Sequence, residues 1–278
     1  MSDHAFFHSG LAVASATSGV PAGSLDNGRY LFRTPLGKGT FGNIGGFYDQ
    51  QLQREVAIKV CHDERCDLRT AQAALANERR VHEMLGVHPH LIELYGVIRD
   101  SEDPDRPLAL VMEYAPHGTL RDWLVFYRDD HSYRLRYGPQ LIAQVCAVIT
   151  HIHGRGIVHG DIKPEQFLMT GPRHVKLTDL GSCWAPRMLP GPETLSSRPL
   201  IPGTAPYAAP ELLQAGHGGP IDHRSDIYSV GALAYEMLHP RCVPPAYENT
   251  SATHNPLAAL AGVSRPIADA VSRCLERI

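Results

Sequence analysis

The stretch GIVHGDIKPEQF, residues 156–167, sets a carboxylate, Asp161, in a short loop behind an apolar run. Gly160 before it and Pro164 after it favour a turn. A carboxylate displayed in this way can orient a hydroxyl and take its proton. Lys163, two positions on, can offset negative charge that builds on a group in transfer. An Asp in isolation would read as a turn or cap residue, so the rest of the chain decides.

A second acid closes the next short strand. KLTDLG, residues 176–181, ends in Asp179, a hard oxygen donor of the kind Mg²⁺ prefers, and Gly181 lets the chain turn behind it. Far upstream, LGKGTFGNI (36–44) supplies Gly37, Gly39 and Gly42 in a G-x-G-x-x-G spacing. Missing side chains there let backbone N–H groups approach phosphates. No helix pattern follows, which argues against a dinucleotide-binding turn. VAIK (56–59) then places Lys59 at a strand end, within reach of phosphates, and Glu78 in ANERRV is the anion that would aim it. A Lys or a Glu alone is usually a solvated charge; the order glycine loop, strand Lys, helix Glu makes that reading poor.

Around these motifs the chain changes character. Apolar runs between turn residues predict strands at Tyr30–Leu36, Ile44–Tyr48, Val56–Cys61, Leu94–Arg99 and Leu108–Tyr114, with one helix over 71–85. Beyond APHGTL (115–120) helices dominate. A helix over 139–153 would start at Pro139 and turn Leu141, Val145, Val148 and Ile152 to one face. Another, over 225–238, would be capped by Ser225 and Asp226 and is apolar nearly all round, as in a buried central helix. Short strands are expected at GIVH and HVKLTD. The fold class is therefore α+β and bilobal: a small β-rich lobe with one helix, a larger α-helical lobe, and a cleft between them.

Bulk properties narrow the classes. The chain has 278 residues, 26 Lys plus Arg against 29 Asp plus Glu, so no basic excess points to nucleic acid. No segment approaches the roughly 18 consecutive apolar residues of a membrane helix. Six scattered cysteines lack a C-x-x-C pair, as expected of reduced thiols in a cytoplasmic protein. Residues 1–28, Ala-, Ser- and Gly-rich, read as a flexible leader without the basic start of a signal peptide.

From residue 30 onward the chain resembles the eukaryotic-type protein kinases, in particular the Ser/Thr kinases of bacteria. YDQQLQREVAIKV, HPHLIELYGVI, LVMEYAPHGTL, GTAPYAAPELL and DHRSDIYSVGALAYEML match landmarks of that family in order. The resemblance implies a kinase domain over 29–278, with lobes at 29–114 and 115–278 and an ATP cleft between them. It implies ATP with Mg²⁺, or with Mn²⁺ as the alternative ion, and transfer of the γ-phosphoryl to Ser or Thr hydroxyls of protein substrates. Asp161, Lys163, Lys59 and Glu78 would be catalytic, and Asp179 and Gln166 would hold the metal. Leu36, Gly37, Gly39, Gly42, Ile44, Ala57, Lys59 and Leu168 would contact the nucleotide. Met112 would be the gatekeeper, and the Glu113 carbonyl and Ala115 amide would meet the adenine. Asp226 would brace the catalytic loop, and Thr204 with Lys163 marks Ser/Thr specificity.

Departures from the family matter as much. Gly160 stands where a phosphate-binding Arg is usual, so activity should not depend on phosphorylation of the activation segment. Gln166 replaces Asn, Leu180 replaces Phe, and His82 occupies a position that is apolar in the family. The chain ends at SRCLERI, short of the Arg that partners Glu211 in relatives, so truncation is expected. Two alternatives stay open: a pseudokinase acting as a nucleotide-binding or scaffolding module, and a small-molecule phosphotransferase sharing the HGD motif. GTAPYAAPE favours a protein substrate over the latter.

Overall fold

The structure is a computed structural model describing residues 23–39, 42–60, 68–99, 107–185, 204, 206–210, 212, 222–239, 260 and 262–276. Two units divide the chain. One holds everything up to Pro116 plus Thr178–Gly181; the other holds His117–Leu177 and the chain from Ser182 onward.

The first unit is built on six antiparallel strands in the order β1-β2-β3-β4-β6-β5. These are β1 (Ser24–Leu25), β2 (Tyr30–Gly39), β3 (Gly42–Asp49), β4 (Arg54–Val60), β5 (Leu94–Arg99) and β6 (Pro107–Glu113). The strands predicted from the apolar runs are present, and the sheet begins earlier than expected. Ser24–Leu25 pair with Leu31 and Tyr30, within the stretch that reads as a leader. Pro35 cannot donate to a ladder, and the β2–β3 register shifts beside it, between Pro35 and Gly37.

Strand alternation explains how the sheet serves two purposes. Val56 and Ile58 of β4 enter a core with Tyr30, Phe47, Ala109 and Val111. Their neighbours Ala57 and Lys59 therefore point to the opposite face. Helix α1 (Leu68–Leu85) packs on the sheet through a stripe at helical spacing: Ala71, Leu75, Glu78, His82 and Leu85, all buried. Two members of that apolar stripe are polar.

The second unit contains α2 (Leu120–Phe126), α3 (His131–His153), the hairpin β7 (Phe167–Gly171) and β8 (His174–Leu177), α4 (His223–Leu238) and α5 (Arg265–Cys274). The predicted face of α3 is its core face: Leu141, Val145, Val148 and Ile152 are all buried. Its start was misplaced. The helix begins two turns before Pro139, capped by Asp130, whose side chain accepts from Tyr133 N at 2.9 Å. Pro139 removes one helical N–H, but tertiary anchoring holds the first turns. Arg134, wholly buried, donates through Nε to Met237 O at 3.2 Å and through Nη2 to Glu236 O, at the negative end of α4.

The caps expected for α4 also differ. Asp222 is the N-cap, accepting from Arg224 N at 2.7 Å, and Ser225 Oγ donates to Asp222 O. Asp226 is freed for another task. GIVH contributes only an isolated bridge, Val158 to Trp184, because its following residues curve toward α4. Helix α5 docks on α4 around Ala234, Tyr235, Leu238, Ala268 and Val271. A Cβ at Gly231 would stand 2.6 Å from the Cβ of Cys274, so α5 lies against bare backbone there. Among the described residues no helix is long and apolar enough to cross a membrane. Glu211 and residues 1–22 lie outside the described residues.

Candidate active site

Lys59 is the centre of the first unit's polar cluster. Its Nζ donates to Glu78 Oε2 at 2.7 Å and to Asp179 Oδ1 at 2.8 Å. Lys59 and Glu78 are 1% exposed, so both carboxylates act on the ammonium across a poorly screened gap. Burial works against the charge on Lys59, but Glu78 and Asp179 outweigh it and hold its pKa above the usual value. Asp179 sits at φ +56°, a left-handed conformation uncommon outside glycine. The segment around it is fastened to α1, where Asn77 Nδ2 donates to Gly181 O at 3.3 Å. Burial holds the Glu78 carboxyl above its usual pKa, although Lys59 and the Leu180 N–H favour its charged form. These bonds explain why Thr178–Gly181 belong to the first unit, although the sequence reading put everything after residue 114 in the second.

Two carboxylates facing one ammonium leave an excess negative charge, and the Asp179 side chain retains 14% exposure. An accessible hard-oxygen donor in a net anionic cluster fits a divalent cation. The hairpin of β2 and β3 carries Gly37 opposite Ile44 and Gly39 opposite Gly42. At Gly37 a Cβ would meet nothing within 4 Å, so the strand offers an open edge of backbone, which fits a phosphate chain. Leu36 beside it is exposed, and Ala57 pairs with Met112 across β4 and β6, both buried. Glu113 ends β6, its N–H bonded to Glu93 O, and Ala115 follows. Leu168 belongs to the other unit, on β7, where it bridges Thr119.

The second unit assembles its own cluster around Asp161. Lys163 Nζ donates to Asp161 Oδ2 at 2.6 Å and to Thr204 Oγ1 at 2.9 Å, and Thr204 Oγ1 donates to Asp161 Oδ1 at 2.7 Å. The three side chains close a ring. Gln166, buried in the turn Pro164–Gln166, approaches the same carboxylate with Nε2 at a long 3.4 Å from Oδ2. Asp226 holds the loop from below: its carboxylate accepts from His159 N at 2.8 Å and Gly160 N at 2.9 Å, and His153 Nε2 lies 2.8 Å away. Gly160 takes φ +81°, which the absent side chain makes easy.

The model of the protein kinase domain matches residues 30–272. The chain belongs to the protein kinase family. This kinase domain is 30% identical over 250 residues to a probable serine/threonine-protein kinase PknB of Bifidobacterium longum, covering 85% of the chain and 35% of that protein. It is 31% identical over 213 residues to serine/threonine-protein kinase PknB of Mycolicibacterium smegmatis, 76% and 32% of the two chains. To serine/threonine-protein kinase ppk21 of Schizosaccharomyces pombe it is 30% identical over 214 residues, 75% and 36%. The chain spans about a third of the length of these curated relatives. ATP and a divalent cation are the general requirement of the family.

One feature of the kinase domain has no counterpart in the sequence reading. Arg121, in α2, bonds Glu165, Glu236 and Tyr207. Its signal was faint: Thr119 and Asp122 form the capping box that starts α2, but nothing local marks the Arg between them.

Proposed function

We propose that this chain is an ATP-dependent protein kinase acting on Ser and Thr hydroxyls of protein substrates, in the cytoplasm, with Mg²⁺ as the working ion. The observation that carries the reading is the closed ring of Asp161, Lys163 and Thr204, three residues that a decayed site would have no reason to keep bonded. In this reading the kinase domain runs from about residue 29 to the end of the chain.

Asp161 orients the acceptor hydroxyl and takes its proton as the phosphoryl group arrives. Lys163, already bonded to Asp161, offsets charge on the oxygens in transfer. Thr204 fixes the carboxylate through its hydroxyl, so that one oxygen of Asp161 is aimed by the loop that also meets the substrate. Lys59, held by Glu78, binds the α and β phosphates. Gly37, Gly39 and Gly42 give backbone N–H groups to the phosphates, while Leu36, Ile44, Ala57 and Leu168 contact the base. Met112 lies behind it, and the Glu113 carbonyl and Ala115 amide bond its edge. Asp179 and Gln166 would hold the divalent cation, which neutralises phosphate charge when bound. Such a site works by positioning and electrostatics and needs no covalent intermediate.

The test is transfer of labelled γ-phosphate to a generic protein substrate and to the chain itself, with and without Mg²⁺, beside an Asp161→Asn control. Magnesium-dependent labelling lost in the control supports the reading. Labelling that survives Asp161→Asn overturns the assignment of the base, and absence of any labelling overturns the activity.

A further inference from the structure

Arg121 joins three segments that converge on the Asp161 ring. Its Nε donates to Glu165 Oε1 at 2.8 Å, its Nη1 to Glu236 Oε1 at 2.6 Å, and its Nη2 to the Tyr207 hydroxyl, which donates onward to Glu236 Oε2. Each partner is tied to the ring. Glu165 is the centre of the turn Pro164–Gln166, between Lys163 and Gln166. Tyr207 N and Ala208 N both donate to Thr204 O, at 2.8 and 3.1 Å. Glu236 lies on α4, the helix whose Asp226 holds the amides of His159 and Gly160.

The helix that carries Arg121 does not need it. The Thr119–Asp122 capping box starts α2, and Leu120, Trp123 and Leu124 bury its inner face. What Arg121 adds is a rigid planar fork with several N–H groups in fixed directions. Glu236 is almost fully buried, and the Arg121 side chain keeps 29% exposure, so these bonds form in partly desolvated surroundings. Burial opposes the guanidinium charge, but Glu236 and Glu165 outweigh it and keep its pKa above normal. A lysine at this position has one ammonium on a flexible stem and cannot reach three partners in one plane.

We propose that Arg121 is a positioning residue for phosphoryl transfer: by gripping Glu165, Tyr207 and Glu236 together it fixes Gln166 and Thr204 against Asp161. The role rests on the kinase activity proposed above. It assigns to α2 a part in catalysis without contact with any reacting atom.

The test compares Arg121→Met, Arg121→Lys and Glu165→Gln with the parent chain by hydrogen exchange and by steady-state phosphorylation of a generic protein substrate. In Arg121→Met the amides of Gln166, Tyr207 and Ala208 should exchange about tenfold faster while those in the middle of α3 stay unchanged. The kcat should fall about tenfold with KM for ATP nearly constant. Added methylguanidinium should restore part of both effects, and Arg121→Lys should not. Glu165→Gln, which alters only the exposed arm, should loosen Gln166 and leave Tyr207 protected. It serves as the decisive variant if Arg121→Met does not fold. Parent-like exchange at these amides, or acceleration that extends equally through α3, overturns the clamp. An active parent with variants of equal kcat faults this role alone, whereas a parent without turnover faults the activity and the role with it.

Discussion

Thr204 Oγ1 donates to Asp161 Oδ1 at 2.7 Å across 43 positions of chain, while accepting from Lys163 Nζ at 2.9 Å. The hydroxyl therefore sets the orientation of a carboxylate whose other oxygen is taken by the same lysine. Asp161→Asn should lower kcat by about a thousandfold with ATP affinity nearly unchanged. Thr204→Val should give a smaller loss, since it frees the carboxylate to rotate without removing it. Equal losses for the two variants, measured by single-turnover phosphorylation, would mean that the carboxylate is not the working group.

Lys59 gives a prediction about stability as well as rate. Removing it leaves Glu78 buried without its cation, which costs about 3 kcal/mol or more. Lys59→Met should therefore unfold at clearly lower denaturant concentration than the parent. Lys59→Met combined with Glu78→Leu should recover much of that loss while remaining inactive. A double variant no more stable than the single one would show that the pair does not carry the penalty.

His82 makes stability depend on pH. It is buried on the core stripe of α1, its Nε2 has no hydrogen-bond partner among the described residues, and burial together with the charge of Lys59 lowers its pKa from 6.5 to about 4. Below pH 6.5 the unfolded chain takes up a proton that the folded chain refuses until about pH 4. Folding stability from this group is thus complete above pH 6.5 and is lost as pH falls toward 4, by up to about 3 kcal/mol. His82→Leu should flatten that part of the stability profile and raise Tm at pH 5 more than at pH 8. Parallel profiles for the two proteins would place the acid sensitivity elsewhere.

Gln166 bears on the metal. Its amide nitrogen reaches Asp161 Oδ2 only at 3.4 Å, near the limit of a useful hydrogen bond. The extra methylene relative to Asn shifts the amide oxygen by roughly 1 Å, whereas Mg²⁺ demands near-ideal octahedral geometry. Gln166→Asn should raise kcat and lower the Mg²⁺ concentration needed for half the maximal rate, and Mn²⁺ should narrow the gap between the two proteins. Metal titrations that superimpose would remove Gln166 from the ligand set.

The parts of this molecule that were legible in the sequence are those that local pattern specifies. Apolar runs between turn residues located the strands, an Ala-rich stretch without Gly or Pro marked the body of α1, and helical spacing found the core face of α3. The motifs marked Lys59, Asp161 and Asp179, which lie close to a glycine or a strand end that restricts the backbone, and Glu78 by its place in the helix that follows the strand Lys. What escaped is non-local. Arg121 meets partners 44, 86 and 115 positions away, and Arg134 ends more than a hundred positions away on α4. The segment Thr178–Gly181 joined the first unit because Lys59 reaches Asp179 across 120 positions, an attraction that no window of sequence contains. Pro139 misled for the opposite reason: its local preference was clear, and the anchoring of Arg134 overrode it.

Gly231 and Cys274 share room for one Cβ, since a second would lie 2.6 Å from the first. Inheritance at the two positions is therefore coupled. A lineage that acquires alanine at 231 must shrink residue 274 or lose the close seating of α5, and a glycine at 274 would remove the tightest of the contacts that hold position 231 to glycine. Drift through this part of the chain proceeds by paired exchange rather than by single steps, so neutral variation should accumulate unevenly between the α4–α5 seam and the solvent side of α5.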